Sequence, residues 1–181
     1  RKVYEVPVGF KWFAQQLRDG DIGFAGEESA GATLLDRQGD VWTTDKDGIV
    51  MVLLAAELQA ATGESPSAYY KKLCAQHGEA FYQRVDTTSS LEQNARFKDI
   101  RAYKLKLTTL AESNVVDIFT KAPGNDAQFG GVKVVLEDGW FAARPSGTEP
   151  VYKIYAESFK SAAHLEQIIA EARDWVAELI Q

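Results

Sequence analysis

The sequence predicts a layered α/β unit over residues 1–83, followed by a small α+β domain over 84–181 with a mostly antiparallel sheet and helices. Three observations carry this. Helix and strand signals alternate through the first half, the signature of a layered α/β arrangement. Strand-like runs follow one another in the second half, at 115–120, 132–144 and 151–159. The last segment, 161–181, then places Leu165, Ile168, Ile169, Ala172, Val176, Leu179 and Ile180 at helical spacing.

In chain order, "RKVYEVPVGF" opens with strand-like alternation and without Met, as expected for a piece of a longer protein. "FKWFAQQLRDG" (10–20) reads as a short amphipathic helix stopping at Gly20. "DIGFAG" is a short strand leading into "GEESAG" (26–31). Over 43–63, Asp45 or Asp47 caps a helix that Gly63 closes; its stretch from Ile49 to Ala61 is apolar almost all round, the pattern of a helix buried between layers. "SPSAYYKKLCAQHG" (65–78) is a second helix, with Ser65 as N-cap and Pro66 in its first turn. Residues 91–100 are helical, and Glu137-Asp138-Gly139 is the turn of a hairpin over 132–144. In the strand 151–159, Val151, Lys153, Tyr155 and Glu157 share one face. No linker composition marks the boundary near residue 83.

Net charge −6 argues against a general nucleic-acid or membrane-surface binder, because either normally shows a basic face. Any anion site must therefore be local. Cys74 is the single cysteine, so no internal disulfide forms, which favours a reducing, cytoplasmic compartment. The longest apolar run, Ile49 to Ala56, is far short of the roughly 20 residues that span a bilayer.

Between two apolar runs lies "RPSGTEP" (144–150), longer than a simple hairpin needs. Arg144 offers forked N–H donors, Ser146 and Thr148 add hydroxyls, and Gly147 admits a nest-like approach of backbone N–H groups. Lys153 adds a point charge two residues into the next strand. Residue chemistry leaves a phosphate cradle and a long polar turn equally open. Glu27 and Glu28 of "GEESAG" suit hydroxyl binding, a metal, or a helix N-cap or turn with solvated acids; as neighbours in sequence they do not suit a glycosidase pair. "TDKDG" (44–48) fails as a calcium loop, with Val50 and Ala56 where Gly and Glu are needed. Lys46 sits where the helix dipole gives no help to a cation, so it either serves an anion or is simply solvated. His77 and His164 are the only histidines, and Cys74 reads as a core thiol; a zinc site or histidine triad is not supported.

Taken in order, "VGFKWF" (8–13), "GEESAG", "TDKDG" and "ARPSGTE" (143–149) resemble the C-terminal part of the α-D-phosphohexomutases, and among them the bacterial phosphoglucomutases, along the whole chain. The resemblance implies the latter portion of the family's third domain, then its complete fourth domain. Such enzymes interconvert glucose 1-phosphate and glucose 6-phosphate through glucose 1,6-bisphosphate. A phosphoserine in the first domain does the chemistry with Mg2+ held by the second.

By that resemblance, Glu27 and Ser29 bind sugar hydroxyls and Lys46 faces the cleft, with Gly9 and Lys11 beside substrate. Arg144, Ser146, Gly147, Thr148 and Lys153 hold the non-reacting phosphate; relatives often carry Arg where Lys153 stands. Glu28 occupies a position where mannose- or glucosamine-preferring members carry Met or Gln, which points to glucose. The implied partners are a hexose phosphate and the N-terminal domains of the same protein, not nucleic acid or membrane. Ser-His-Asn-Pro, the nucleophile motif, does not occur, and Asp19-Gly20-Asp21 lacks the third Asp of the metal loop. No catalytic residue or metal ligand is therefore assigned. Alternatives are a related phosphomannomutase or phosphoglucosamine mutase, or a stand-alone sugar-phosphate-binding module.

Overall fold

The computed structural model describes residues 2–29 and 31–181. They gather into two units, Val6–Gln76 and a second running from His77 to Gln181 that also takes in the residues up to Glu5. The sequence boundary after residue 83 falls inside a strand of the second unit, described below.

In the first unit, a 3-10 turn at Phe10–Trp12 leads through Phe13 into α1 (Ala14–Arg18). Phe10 and Leu17 are its buried residues, and with Ala25 they form a small core that Phe13, Ile22 and Val41 pack against. β1 (Phe24–Glu27) and β2 (Gly31–Leu34) pair as an antiparallel hairpin, with Glu27 opposite Gly31. Ala30 lies outside the described residues. α2 (Gly48–Thr62) is capped by Asp47, whose Oδ1 accepts from the amides of Ile49 (2.8 Å) and Val50 (3.2 Å), and Gly63 closes it. The Asp47 amide donates to the Ala32 carbonyl at 3.0 Å, which ties the cap to β2. α3 (Pro66–His77) starts from Ser65, whose hydroxyl accepts from the Ala68 amide.

Two expectations fail here. α2 has no buried residue, and Ile49, Val52, Leu53 and Leu54 are all exposed. A helix apolar all round needs a layer on each side, and the two four-residue strands of this unit supply no such second layer among the described residues. The opening residues 2–7 form no strand. Pro7 has no N–H for a ladder, and the Glu5 carbonyl accepts from the Gly124 amide.

The second unit begins with β3 (Phe81–Thr88), followed by α4 (Leu91–Arg96), whose Ser90 and Gln93 form a reciprocal capping box. After 3-10 turns at Phe97–Asp99 and Ala102–Lys104 come β4 (Thr109–Leu110), β5 (Ser113–Lys121), β6 (Gln128–Leu136), β7 (Gly139–Pro145) and β8 (Val151–Ser158). All neighbours pair antiparallel in the order β3-β8-β7-β6-β5-β4. Sequential hairpins build most of the sheet; β3 reaches β8 only by a long-range pairing. Glu137 and Asp138 make the tight turn between β6 and β7.

α5 (Ala162–Leu179) covers one sheet face. Its Ile168, Ala172 and Val176 are fully buried with Val132, Val134, Phe141, Ile154 and Ala156 of the strands. Each of the Val, Ile and Phe side chains contributes about 1.5–3 kcal/mol over leaving it exposed. On β8, Tyr152, Ile154, Ala156 and Ser158 turn inward, so Val151, Lys153, Tyr155 and Glu157 occupy the opposite face as expected. His164 is a satisfied structural histidine: Nε2 donates to the Ala111 carbonyl (3.0 Å) while Nδ1 meets the Ser158 hydroxyl (2.8 Å). That contact seats the start of α5 on the sheet. Cys74 is half-buried on α3 rather than enclosed in a core.

Candidate functional sites

The first cluster grows from the end of β1. Glu27 projects there with a side chain only 13% exposed, and both of its oxygens are used. Oε1 accepts from the Gly9 amide at 2.7 Å; Oε2 accepts from Lys46 Nζ at 2.8 Å and from the Ser29 hydroxyl at 3.4 Å. Lys46 also donates to Ser29 Oγ at 3.1 Å. The Lys46 ammonium thus lies on the hairpin, paired to Glu27 while still exposed. Its hydrogen bond holds the Glu27 carboxyl below the ordinary glutamate range; partial burial opposes this and the Gly9 amide reinforces it.

Gly31 makes this geometry possible. A Cβ at residue 31 would sit 2.4 Å from the Lys46 Cβ, so only glycine lets the lysine stem cross β2. Gly9 has φ 122°, a region where L side chains are strained, and its N–H is thereby aimed at Glu27. Lys11 is not part of the cluster; its ammonium lies over the Trp12 ring at 5.2 Å. Chemically, the cluster is a carboxylate, a hydroxyl and an ammonium held together, suited to hydrogen-bonding polyhydroxylated molecules.

The second cluster surrounds the β7–β8 connection. Arg144 and Lys153 are direct cross-strand partners, and Lys153 is in turn opposite Asp86 on β3. Like charges directly opposite repel. Here each is relieved separately: Lys153 Nζ donates to Asp86 at 3.2 Å, and Arg144 Nη2 donates to the Tyr155 hydroxyl at 2.8 Å. The Arg144 stem passes over Gly131, where a Cβ would lie 3.0 Å from the Arg144 Cβ and 2.2 Å from the Ala143 carbonyl oxygen.

The loop itself is pinned at its stem. Ser146 N–H donates to the Val151 carbonyl (2.9 Å), and the Ser89 amide donates to the Pro150 carbonyl (3.0 Å). Asn94, buried on α4, accepts from the Ser89 hydroxyl at 2.7 Å and donates to the carbonyls of Glu149 and Val151. Gly147 and Thr148 are exposed at the tip. The expected nest is not formed: no residue of 144–150 has positive φ, and a Cβ on Gly147 would meet nothing within 4 Å. The groups of the loop able to donate to an anion are therefore the side chains of Arg144, Ser146, Thr148 and Lys153, rather than a left-handed glycine turn; the Thr148 amide already donates to Ser146 Oγ at 3.5 Å.

Two family models match in sequence order. Residues 1–77 match the alpha/beta/alpha domain III of phosphoglucomutase/phosphomannomutase, and 91–174 match the C-terminal domain of the same proteins. The chain belongs to the phosphoglucomutase/phosphomannomutase family. It is 54% identical over 179 residues to a phosphoglucomutase of Komagataeibacter xylinus, covering 99% of this chain and 32% of that protein. A phosphoglucomutase/phosphomannomutase of Thermococcus kodakarensis is 27% identical over 157 residues, or 29% of its length. The chain thus spans about a third of the length of these relatives.

Solved phosphoglucomutase/phosphomannomutase structures share the fold. One from Burkholderia thailandensis superposes with TM-score 0.58 at 20% identity, over 96% of this chain and 32% of its own. The phosphoglucomutase parafusin from Paramecium, in its open form, gives 0.58 at 21%, over 96% and 33%.

Sequence reading missed five residues at these family loops. Gly31, Gly131, Asp86, Asn94 and Tyr155 act through partners on other elements; only Gly31 falls inside a quoted motif, as the last residue of "GEESAG", and nothing local marks its contact with Lys46. Period-two alternation along β8 did place Tyr155 on the Lys153 face, which was the one available signal.

Proposed function

We propose that this chain is the C-terminal part of a phosphoglucomutase, an isomerase that interconverts glucose 1-phosphate and glucose 6-phosphate through glucose 1,6-bisphosphate. Glu27, Ser29 and Lys46 contact sugar hydroxyls, with Gly9 and Lys11 beside the substrate. Arg144, Ser146, Gly147, Thr148 and Lys153 hold the phosphate that does not react. The carrying observation is the Arg144–Lys153 pair at the stem of the Ser146–Thr148 loop. Two cations kept side by side, each partly relieved by a neighbour, provide charge that an incoming phosphate completes.

Phosphoryl transfer relies on positioning and on neutralising charge at the moving group. The residues of this chain provide the positioning. Ser-His-Asn-Pro is absent from its sequence, so the chain alone should bind hexose phosphate without turning it over. Magnesium belongs to the whole enzyme in this reading. Among the described residues no group of three or more His, Cys, Asp or Glu is arranged to hold a metal ion, so these residues do not fit that role and no step is assigned to it. The reading places the enzyme in cytoplasmic carbohydrate metabolism, as a phosphoprotein; no described helix is long and apolar enough to cross a membrane.

Titration of the 181-residue chain with glucose 1-phosphate, followed by amide NMR, tests the proposal. Shifts at Ser146–Thr148 that vanish in Arg144→Ala support it. Saturating shifts elsewhere with none at this loop overturn the loop assignment.

A further inference from the structure

The structure gives Arg144 a partner that the phosphate-loop reading does not use. Tyr155 is next but one to Lys153 on β8 and shares its face, away from the core residues Ile154 and Ala156. Its hydroxyl accepts from Arg144 Nη2 at 2.8 Å, and the guanidinium carbon lies 5.4 Å from the ring centre. One side chain therefore holds the guanidinium by a hydrogen bond and by its π face.

The other end of the guanidinium is closed. Arg144 Nε is fully buried and has no hydrogen-bond partner among the described residues. An anion cannot reach the Nε edge without displacing the side chain. The donors left to it are on the outer edge, Nη1 and the second Nη2 N–H. A bidentate grip is geometrically demanding, and a freely rotating arginine side chain loses rotamer freedom to make one. A guanidinium already fixed by a neighbour loses less on binding.

We propose that Tyr155 is a positioning residue of the phosphate site, holding Arg144 so that an anion is met end-on by its outer Nη1–Nη2 edge. The proposal rests on the phosphate-binding reading of the 144–148 loop and deepens it. Tyr155 touches the arginine and need not touch the phosphate. Because it lies off the core face, truncating it leaves the packing against α5 intact.

The test uses the 181-residue chain and inorganic phosphate, with Tyr155→Phe and Tyr155→Ala each made alone and in an Arg144→Lys background. Phe keeps the ring face and loses the hydroxyl; Ala loses both. Tyr155→Phe should weaken phosphate binding roughly 3–10-fold at unchanged Tm, and Tyr155→Ala more. Neither should weaken it further once Arg144 is Lys, because a lysine has no fork to orient. The Arg144 Nε–H NMR signal should broaden or shift in Tyr155→Phe before any phosphate is added. Wild-type binding that Tyr155→Phe leaves unchanged overturns the proposal, as does an equal loss in both backgrounds. Failure of the wild-type chain to bind phosphate overturns the loop reading itself, and the proposal with it.

Discussion

Glu27 and Lys46 lie 19 residues apart in sequence yet form a 2.8 Å ion pair, the lysine reaching it across a glycine. The pair joins β1 to the residue just before the α2 cap, and through Glu27 Oε1 it also fixes Gly9. Three of the motif segments are thereby assembled on one carboxylate.

Replacing Gly31 with Ala should evict Lys46. The new methyl collides with the lysine's own Cβ, which cannot swing aside as a chain end would. A loss of about 1–3 kcal/mol in the stability of the first unit is expected. Urea unfolding followed at Trp12 or Trp42 fluorescence measures it, and Lys46→Met should make the subsequent Gly31→Ala change less costly.

Acid should loosen the same cluster. The folded Glu27 carboxyl binds protons less tightly than its ordinary value of 4.5, so its contribution is fully present above that pH. It is lost as pH falls from 4.5 through the lowered folded value. Glu27→Gln should flatten this part of the stability profile; an unchanged acid limb between variant and wild type would refute the linkage.

Asn94→Ala should release the stem of the phosphate loop. It strips a buried acceptor from the Ser89 hydroxyl and a donor from the Glu149 and Val151 carbonyls. About 1–3 kcal/mol of stability should be lost. Phosphate binding should weaken as well, with larger amide exchange rates at 146–150 than elsewhere in the sheet.

Asp86→Asn should act in the opposite direction on binding. With its partner neutral, Lys153 is free to turn toward an anion at the loop. Phosphate affinity should rise by roughly 2–3-fold at low salt and converge with wild type at high salt. The stability cost should stay within about 1 kcal/mol, because Asp86 is 44% exposed.

The exposed apolar residues of α2 should govern the solubility of the 181-residue chain. Leu53→Gln together with Ile49→Gln ought to reduce concentration-dependent association in sedimentation velocity without lowering Tm, since neither side chain is buried.

Much of the fold was legible because its determinants are local. Ser65, Asp47 and Gly63 bound their helices by capping chemistry, Glu137-Asp138-Gly139 set a hairpin register, and α5 declared itself by its 3.6-residue stripe. β3 was missed, and with it the exact start of the second unit. Its mixed sequence, FYQRVDTT, has a weak alternation, and its register comes entirely from pairing with β8 some 70 residues later. α2 was misjudged for the converse reason: composition reports what a helix is able to bury, not whether a second layer lies against it.

By itself the sequence determined an α/β part followed by an α+β part, the family to which the chain belongs, and the residues proposed to meet sugar and phosphate. These follow from periodicity, capping and short motifs, all written in neighbouring residues. Tertiary structure alone decided how those groups are held. It set Lys46 on Glu27 across Gly31, balanced Lys153 with Asp86, held Arg144 Nη2 on the Tyr155 hydroxyl while burying its Nε, and anchored the loop on Asn94. Each of these joins elements whose separation along the chain carries no pattern. Charge and hydrogen-bond balance are settled only where the strands come to lie side by side.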